Sequence, residues 1–188
     1  MNDTDDTMPP PGTLETERLL LRPPRPADAP AIFEACQDPE IQRWTVVPSP
    51  YRREDAEFYV HKLAVDGWAG GRNPVWCVFE KATGTLVGTQ GLSHRGPGRA
   101  EIGYWATAAS RGRGFTLEAI RAVCRWGLAE RGLRRIEWTA YVGNEPSRAL
   151  ALKAGFTMEG ILRSYGEQRG EFHDVWMGSL LAGEQERA

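Results

Sequence analysis

Residues 110–116 read Ser110-Arg111-Gly112-Arg113-Gly114-Phe115-Thr116. They stand between a strand-like run, Ala100 to Ala106, and the clearest helical pattern in the chain. Two glycines one residue apart let a backbone pass close to a ligand with no Cβ in the way. The helix begins near Gly114, so its first N–H groups lack intrahelical partners and carry partial positive charge. An anion, most often a phosphate, suits such a helix end. Arg111 and Arg113 add full charges beside it, so the stretch reads as a pyrophosphate seat. The competing reading is a tight turn with two solvated arginines.

Two other phosphate loops fail on residue identity. A P-loop needs Lys followed by Ser or Thr after its second glycine, and none is present. A dinucleotide fingerprint needs a third glycine where Leu117 stands.

Outward from the loop, Leu117, Ile120, Cys124 and Leu128 recur at helical spacing, and Gly132 can close that helix. Arg135 to Val142 alternates, with Ile136, Trp138, Ala140 and Val142 on one face. Asn144 and Pro146 open a further helix that ends at Gly155. Phe156 to Tyr165 and Phe172 to Leu181 read as closing strands joined through Gly166 to Glu171. Upstream, Leu14 to Arg22 reads as a strand and Asp28 caps a short helix through Cys36. Pro39 to Trp44 is a helical turn, and Arg53 to Trp68 a helix with Phe58, Leu63 and Val65 on its apolar side. Val75 to Glu80 and Leu86 to Leu92 form a hairpin, with Gly84 at the position needing positive φ.

This order predicts an α/β fold: one domain over residues 14–182, a central mixed, mostly antiparallel sheet, and helices on both faces. Residues 1–13 and 183–188 read as tails. The helical crossover from the strand at 100–106 to that at 135–142 makes the two parallel. Ligands in such sheets sit where neighbouring strands part at their carboxyl ends, and the glycine loop lies there.

The chain has 188 residues, 41% hydrophobic and 26% charged, enough for one full-sized core. A net charge of −2 gives no basic field for nucleic acid. Cys36, Cys77 and Cys124 lie far apart, unlike a disulfide framework or a zinc site, and suit reduced thiols in a cytoplasmic protein. No apolar run approaches membrane-spanning length, and the start lacks the pattern of a signal peptide. We expect no metal, nucleic-acid partner or membrane.

Arg111-Gly112-Arg113-Gly114-Phe115-Thr116 resembles the acetyl-coenzyme A pyrophosphate loop of the GNAT superfamily of N-acetyltransferases. Glu101-Ile102-Gly103-Tyr104-Trp105 before it, and Asn144-Glu145-Pro146-Ser147 to Lys153-Ala154-Gly155-Phe156 after it, are similar to the RimJ/RimL type, which acetylates protein N-termini. Leu14-Glu15-Thr16-Glu17-Arg18-Leu19 to Arg22 likewise resembles how those proteins start. The resemblance spans residues 14–182. It implies that the amides of Arg113, Gly114, Phe115 and Thr116 hold the pyrophosphate. It also implies that the strand ending near Trp105 and Thr107 splays from its neighbour and offers its freed edge to pantetheine. Asn144 would contact the pantetheine arm or the reacting centre, and Ser147 would sit near the sulfur. Thr116 stands where the pattern has Gly or Ala. Ala151 stands where many members place the tyrosine that protonates the leaving thiolate, which makes Ser147 the substitute. A homodimer is also implied.

Acyl transfer to an amine needs an acceptor for the amine proton, donors for the oxyanion, and a donor for the departing thiolate. A strand-edge N–H near Trp105 is the expected oxyanion donor. Glu101 is the candidate base, suited by half-burial to take a proton near neutral pH. The alternatives are an arginine-paired structural carboxylate for Glu101 and helix capping for Asn144 and Ser147. His94 reads as a solvated loop residue, and His173 and Asp174, adjacent on a strand, point to opposite faces. The acceptor, a protein N-terminus or a small amine, is expected between Trp44 to Tyr51, His94 to Gly98 and Tyr165 to Glu171, with Glu101, Glu167 and Glu171 attracting cations. Trp44 and Trp68 are candidates for lining that groove. A non-catalytic acyl-coenzyme A sensor is the reading from another class.

Overall fold

The structure, a computed structural model, describes residues 12–184; of the expected tails at 1–13 and 183–188, residues 1–11 and 185–188 lie outside the described residues. One eight-stranded sheet organises the chain: β1 (Leu14–Glu15), β2 (Leu19–Arg22), β3 (Val75–Glu80), β4 (Leu86–His94), β5 (Arg99–Ala106), β6 (Arg135–Tyr141), β7 (Thr157–Gln168) and β8 (Glu171–Leu181). Their order across the sheet is β1-β2-β3-β4-β5-β6-β8-β7. Every neighbouring pair is antiparallel except β5 and β6, which the helical crossover makes parallel. The Leu14 to Arg22 stretch is therefore two strands that fold back on each other, with Leu14 opposite Leu21.

Helix α1 (Ala29–Ala35), α2 (Pro39–Trp44) and the pair α3 (Arg53–Phe58) and α4 (Ala64–Ala69) precede β3. Helix α5 (Phe115–Arg125) carries the chain from β5 to β6, and α6 (Glu145–Lys153) from β6 to β7. One core packs α5 against Trp76, Ile102, Ile136 and Trp138 of the sheet. A second packs Ile32 of α1 and Ala56 of α3 against Cys77 and Leu86 on the opposite face. Both faces are thus covered, as the alternation of elements predicts. Among the described residues no helix is long and apolar enough to cross a membrane.

Two sequence expectations need correction. Phe58, Leu63 and Val65 face solvent, whereas Ala56, Val60, Ala64 and Trp68 are buried. Residues four apart drift around an α-helix of 3.6 residues per turn. A wide π turn at Tyr59–Leu63, closed by Ala64 N–H on Tyr59 O, resets that drift and holds the set of four on one face. The β7–β8 connection is also far tighter than Gly166 to Glu171. Gln168 pairs with Glu171, so only Arg169 and Gly170 turn, at φ +54° and +83°. Positive φ at both central residues matches the right-handed twist of the strands on either side.

Candidate active site

The glycine loop forms at the end of β5 as the sequence predicts. Gly112 and Gly114 have φ +74° and +80°, and Gly114 caps α5. The first intrahelical bond runs from Glu118 N–H to Gly114 O at 3.1 Å. The N–H groups of Phe115, Thr116 and Leu117 therefore have no partner within the helix and face the loop. Thr116 is buried beside Phe115, so its side chain packs inward and only its amide is presented to a ligand.

The two loop arginines are half-exposed but each is ion-paired. Arg113 grips Glu80 of β3 with Nη2 at 2.6 Å, and Arg111 pairs with Asp38 at 2.7 Å while donating to Ala106 O. The Glu80 carboxyl lies below its ordinary range through the Thr83 hydroxyl first and Arg113 next. Arg18 and Arg113 stack on the Phe115 ring at 4.7 and 4.4 Å. Arg18 also donates to Arg113 O at 3.0 Å and pairs with Glu118, which Thr16 contacts as well. The Thr16-Glu17-Arg18 stretch thereby braces the loop against α5. Unpartnered backbone amides with ion-paired guanidinium charge behind them are an arrangement that suits an anion.

Beyond the loop the sheet opens. β5 and β6 are paired from Arg99↔Arg135 to Ile102↔Trp138, yet β5 continues to Ala106 and β6 to Tyr141. A wedge remains between Gly103–Ala106 and Thr139–Tyr141. Ladder parity decides which amides line it. Thr107 N–H donates to Val87 O at 2.9 Å, so Thr107, Trp105 and Gly103 turn their backbone groups towards β4. The alternating residues, Tyr104 and Ala106, turn theirs into the wedge. The expectation that Trp105 and Thr107 offer the free edge is therefore shifted by one residue. Trp105 instead packs its side chain against the α1–α3 core, and the Thr107 hydroxyl donates to Ser110 Oγ at 2.7 Å. On the other wall, Val142 N–H donates to Asp174 O, which commits the even residues of β6 to β8 and leaves Thr139 facing the wedge.

Ser147, in the first turn of α6, touches both walls. Its Oγ lies 3.1 Å from the Tyr104 hydroxyl on β5 and accepts from Trp138 Nε1 on β6 at 3.2 Å. Asn144 caps α6, its Oδ1 accepting from Ser147 N–H at 3.3 Å, so it fixes where Ser147 stands. Ala151, on α6 itself, is buried. From sequence Trp138 falls on one face of its strand with Ile136, and Tyr104 carries no assigned role. Their polar atoms meet Ser147 only because the strands part where they do.

Glu101 sits on β5 level with Glu137, just inside the paired region. Its Oε2 pairs with Arg95 at 2.8 Å and its Oε1 accepts from the Thr139 hydroxyl at 2.6 Å. This is the arginine-paired arrangement. The Arg95 side chain is 45% exposed, however, and an ion pair so open to water is weak.

The far end of the wedge is bounded by two segments clasped together. Gln168 Nε2 donates to the carbonyls of Arg43 and Thr45 at 3.1 and 2.6 Å, and Arg169 Nη2 to Gln42 O at 2.7 Å. The Trp44 ring lies beside Gly143, next to Asn144. Trp68, by contrast, stacks edge-on against Trp76 at 4.9 Å inside the core and lines no groove. Glu167 is drawn into the hairpin turn, accepting from Gly170 N–H at 2.7 Å. His173 stacks on Tyr141 while Asp174 accepts from Ser164 N–H, so the two point apart.

Comparison with known proteins agrees with this geometry. Residues 18–157 match the acetyltransferase (GNAT) domain family. The chain is 33% identical over 175 residues to an uncharacterized N-acetyltransferase, p20, of Bacillus licheniformis, covering 90% of this chain and 96% of that one. It is 33% identical over 76 residues to the ribosomal-protein-serine acetyltransferase of Escherichia coli, 40% of this chain and 42% of that one. Its fold superposes with a TM-score of 0.81 on RimL, the ribosomal L7/L12 α-N-protein acetyltransferase, solved in complex with coenzyme A, at 21% identity over 90% of this chain and 98% of that one. The family match over most of the chain, with the likeness to p20, shows that the chain belongs to the GNAT family and is an acetyl-coenzyme A-dependent N-acetyltransferase.

Proposed function

We propose that the acceptor is the α-amine of a protein N-terminus and that the acetyl group passes to it directly. The observation that carries this reading is the character of the wedge mouth. Val46, Tyr165 and Phe172, on the two segments that clasp there, are 81%, 60% and 66% exposed. Apolar side chains left in water around a site suit a polypeptide surface. The partial likeness to a ribosomal-protein-serine acetyltransferase supports the same class of acceptor.

In this reading the amides of Gly114, Phe115 and Thr116 bind the diphosphate, with Gly112, Arg111 and Arg113 shaping the loop. The edge groups of Tyr104 and Ala106 pair with the pantetheine arm. Glu101 attracts the ammonium in place of Arg95 and takes its proton through water, leaving a neutral amine to attack the thioester carbonyl. A wedge-facing strand N–H, that of Tyr104, meets the oxyanion. The Ser147 hydroxyl faces the leaving sulfur, held there by Asn144. All three cysteines are buried and free, which fits a reducing compartment, so we place the reaction in the cytoplasm.

A thiol-release assay tests the acceptor class, using peptides with free and blocked α-amines alongside polyamines and aminoglycosides. Free-terminus peptides should turn over and blocked ones should not. Turnover confined to the small amines would overturn the assignment.

A further inference from the structure

We infer that Tyr104 and Trp138 are positioning residues that fix the direction of the Ser147 O–H bond, turning it into the wedge as a donor to the leaving sulfur. The inference rests on the reading of Ser147 given above and adds the two groups that make it work.

A serine hydroxyl has one proton to donate and two lone pairs to accept with. Indole N–H is a donor only, so the 3.2 Å contact from Trp138 Nε1 fills one lone pair of Ser147 Oγ. Tyr104 Oη stands 3.1 Å from the same oxygen and 3.3 Å from Ser147 O. That carbonyl lies in the first turn of α6, where the helix ladder already uses it. The nearer hydroxyl oxygen is the better acceptor for the phenol proton. Either hydroxyl of this pair can donate; when the phenol proton goes to Ser147 Oγ, both lone pairs are filled and the Ser147 proton points away from Tyr104 and Trp138.

The direction that remains is the wedge. Tyr104 lies two residues past the last β5–β6 pair and Trp138 lies in that pair, so Ser147 Oγ sits where the walls separate. A thioester whose arm follows the free edge of β5 brings its sulfur to this point. As the C–S bond breaks, negative charge grows on sulfur and the Ser147 O–H meets it; starting from the ammonium, the nitrogen loses two protons, the first through Glu101 to solvent and the second as the amide forms, while the sulfur gains one, so one proton is released overall. The phenol can hold this orientation because it stays protonated: burial pushes the Tyr104 hydroxyl up to about 12, against the Ser147 and Trp138 contacts.

A double-mutant cycle tests the device, with Tyr104→Phe, Ser147→Ala and the pair assayed for kcat, acetyl-coenzyme A KM and coenzyme A binding by calorimetry. Phenylalanine keeps the ring and removes only the hydroxyl. Ser147→Ala should lower kcat by about 10- to 100-fold and Tyr104→Phe by about tenfold, each with KM within about twofold. The double variant should be no slower than Ser147→Ala alone, because Tyr104 acts only through that hydroxyl. Ser147→Thr, which keeps the donor, should retain the sensitivity to Tyr104→Phe. Multiplying losses in the double variant, or an unchanged rate in Tyr104→Phe, would overturn the inference while leaving Ser147 as donor. An unchanged rate in Ser147→Ala would remove the role of Ser147 itself.

Discussion

The Nε2 of Gln168, at the tip of the β7–β8 hairpin, donates to the carbonyl oxygen of Thr45 at 2.6 Å, across 123 positions of sequence. The same amide reaches Arg43 O, and Arg169 beside it reaches Gln42 O. These are carbonyls at the end of α2, which no longer have a helical N–H to accept from. The hairpin thus caps α2 from a distance and closes one side of the mouth proposed for the acceptor. Gln168→Ala should cost about 1–2 kcal/mol in urea unfolding, since it leaves carbonyls without donors. It should also raise the acceptor KM severalfold and leave the acetyl-coenzyme A KM alone. Equal movement of both KM values would place the clasp in the coenzyme A site.

Gly114 makes a separate prediction possible. Its φ of +80° is costly for any residue with a Cβ, by about 1–2 kcal/mol, and an alanine Cβ would sit 3.4 Å from Arg18 Nη2. Gly114→Ala should therefore disturb the amides of the anion seat and weaken coenzyme A binding by about tenfold in calorimetry. Gly132 offers the control. It has a similar φ of +68° with nothing within 4 Å of its would-be Cβ, far from the loop. Gly132→Ala should lower stability alone, and an equal loss of coenzyme A affinity in both variants would mean that Gly114 acts only through global strain.

What the sequence disclosed divides along local and long-range lines. Gly112, Gly114 and the start of α5 were legible because turn geometry and helix ends are written in neighbouring residues. The parallel pairing of β5 with β6 followed from the crossover between them. The lining of the wedge did not follow, because one residue of register against β4 exchanges Trp105 for Tyr104. Motif order carries no such parity. Arg111 and Arg113 looked like free charges since their partners, Asp38 and Glu80, belong to other elements. Phe58, Leu63 and Val65 looked like a buried stripe because a π turn has no local signal that spacing alone reveals.

Glu101 can be separated from its structural partners. Glu101→Gln keeps the shape and removes the charge that would draw an ammonium and its proton. Coenzyme A affinity should stay the same while kcat/KM for the amine falls by about 100-fold, the usual scale of a lost acid–base group. Arg95→Ala supplies the opposite sign: without a competing guanidinium, the acceptor KM should fall. If Glu101→Gln acetylates at the parent's rate, Glu101 is a sheet residue tied to Arg95 and Thr139 and nothing more.

The ion pair on the far side of β6 sets an acid limit. Glu159 receives Arg135 at 2.5 Å and the Ser179 hydroxyl at 2.6 Å. Arg135 first, and Ser179 second, hold its carboxyl down to about 2, against an ordinary 4.5. A carboxyl lowered in the folded state binds its proton more readily once unfolded, so its contribution is present in full above pH 4.5 and drains away as the pH falls towards 2. Its side chain is 38% exposed, which screens the pair and keeps the effect modest. Urea midpoints of the parent and Glu159→Gln should differ most at pH 7, converge as acid is added below pH 4.5, and meet near pH 2. A gap that stayed constant over that window would show that the loss in Glu159→Gln comes from packing against Ser179 and not from charge.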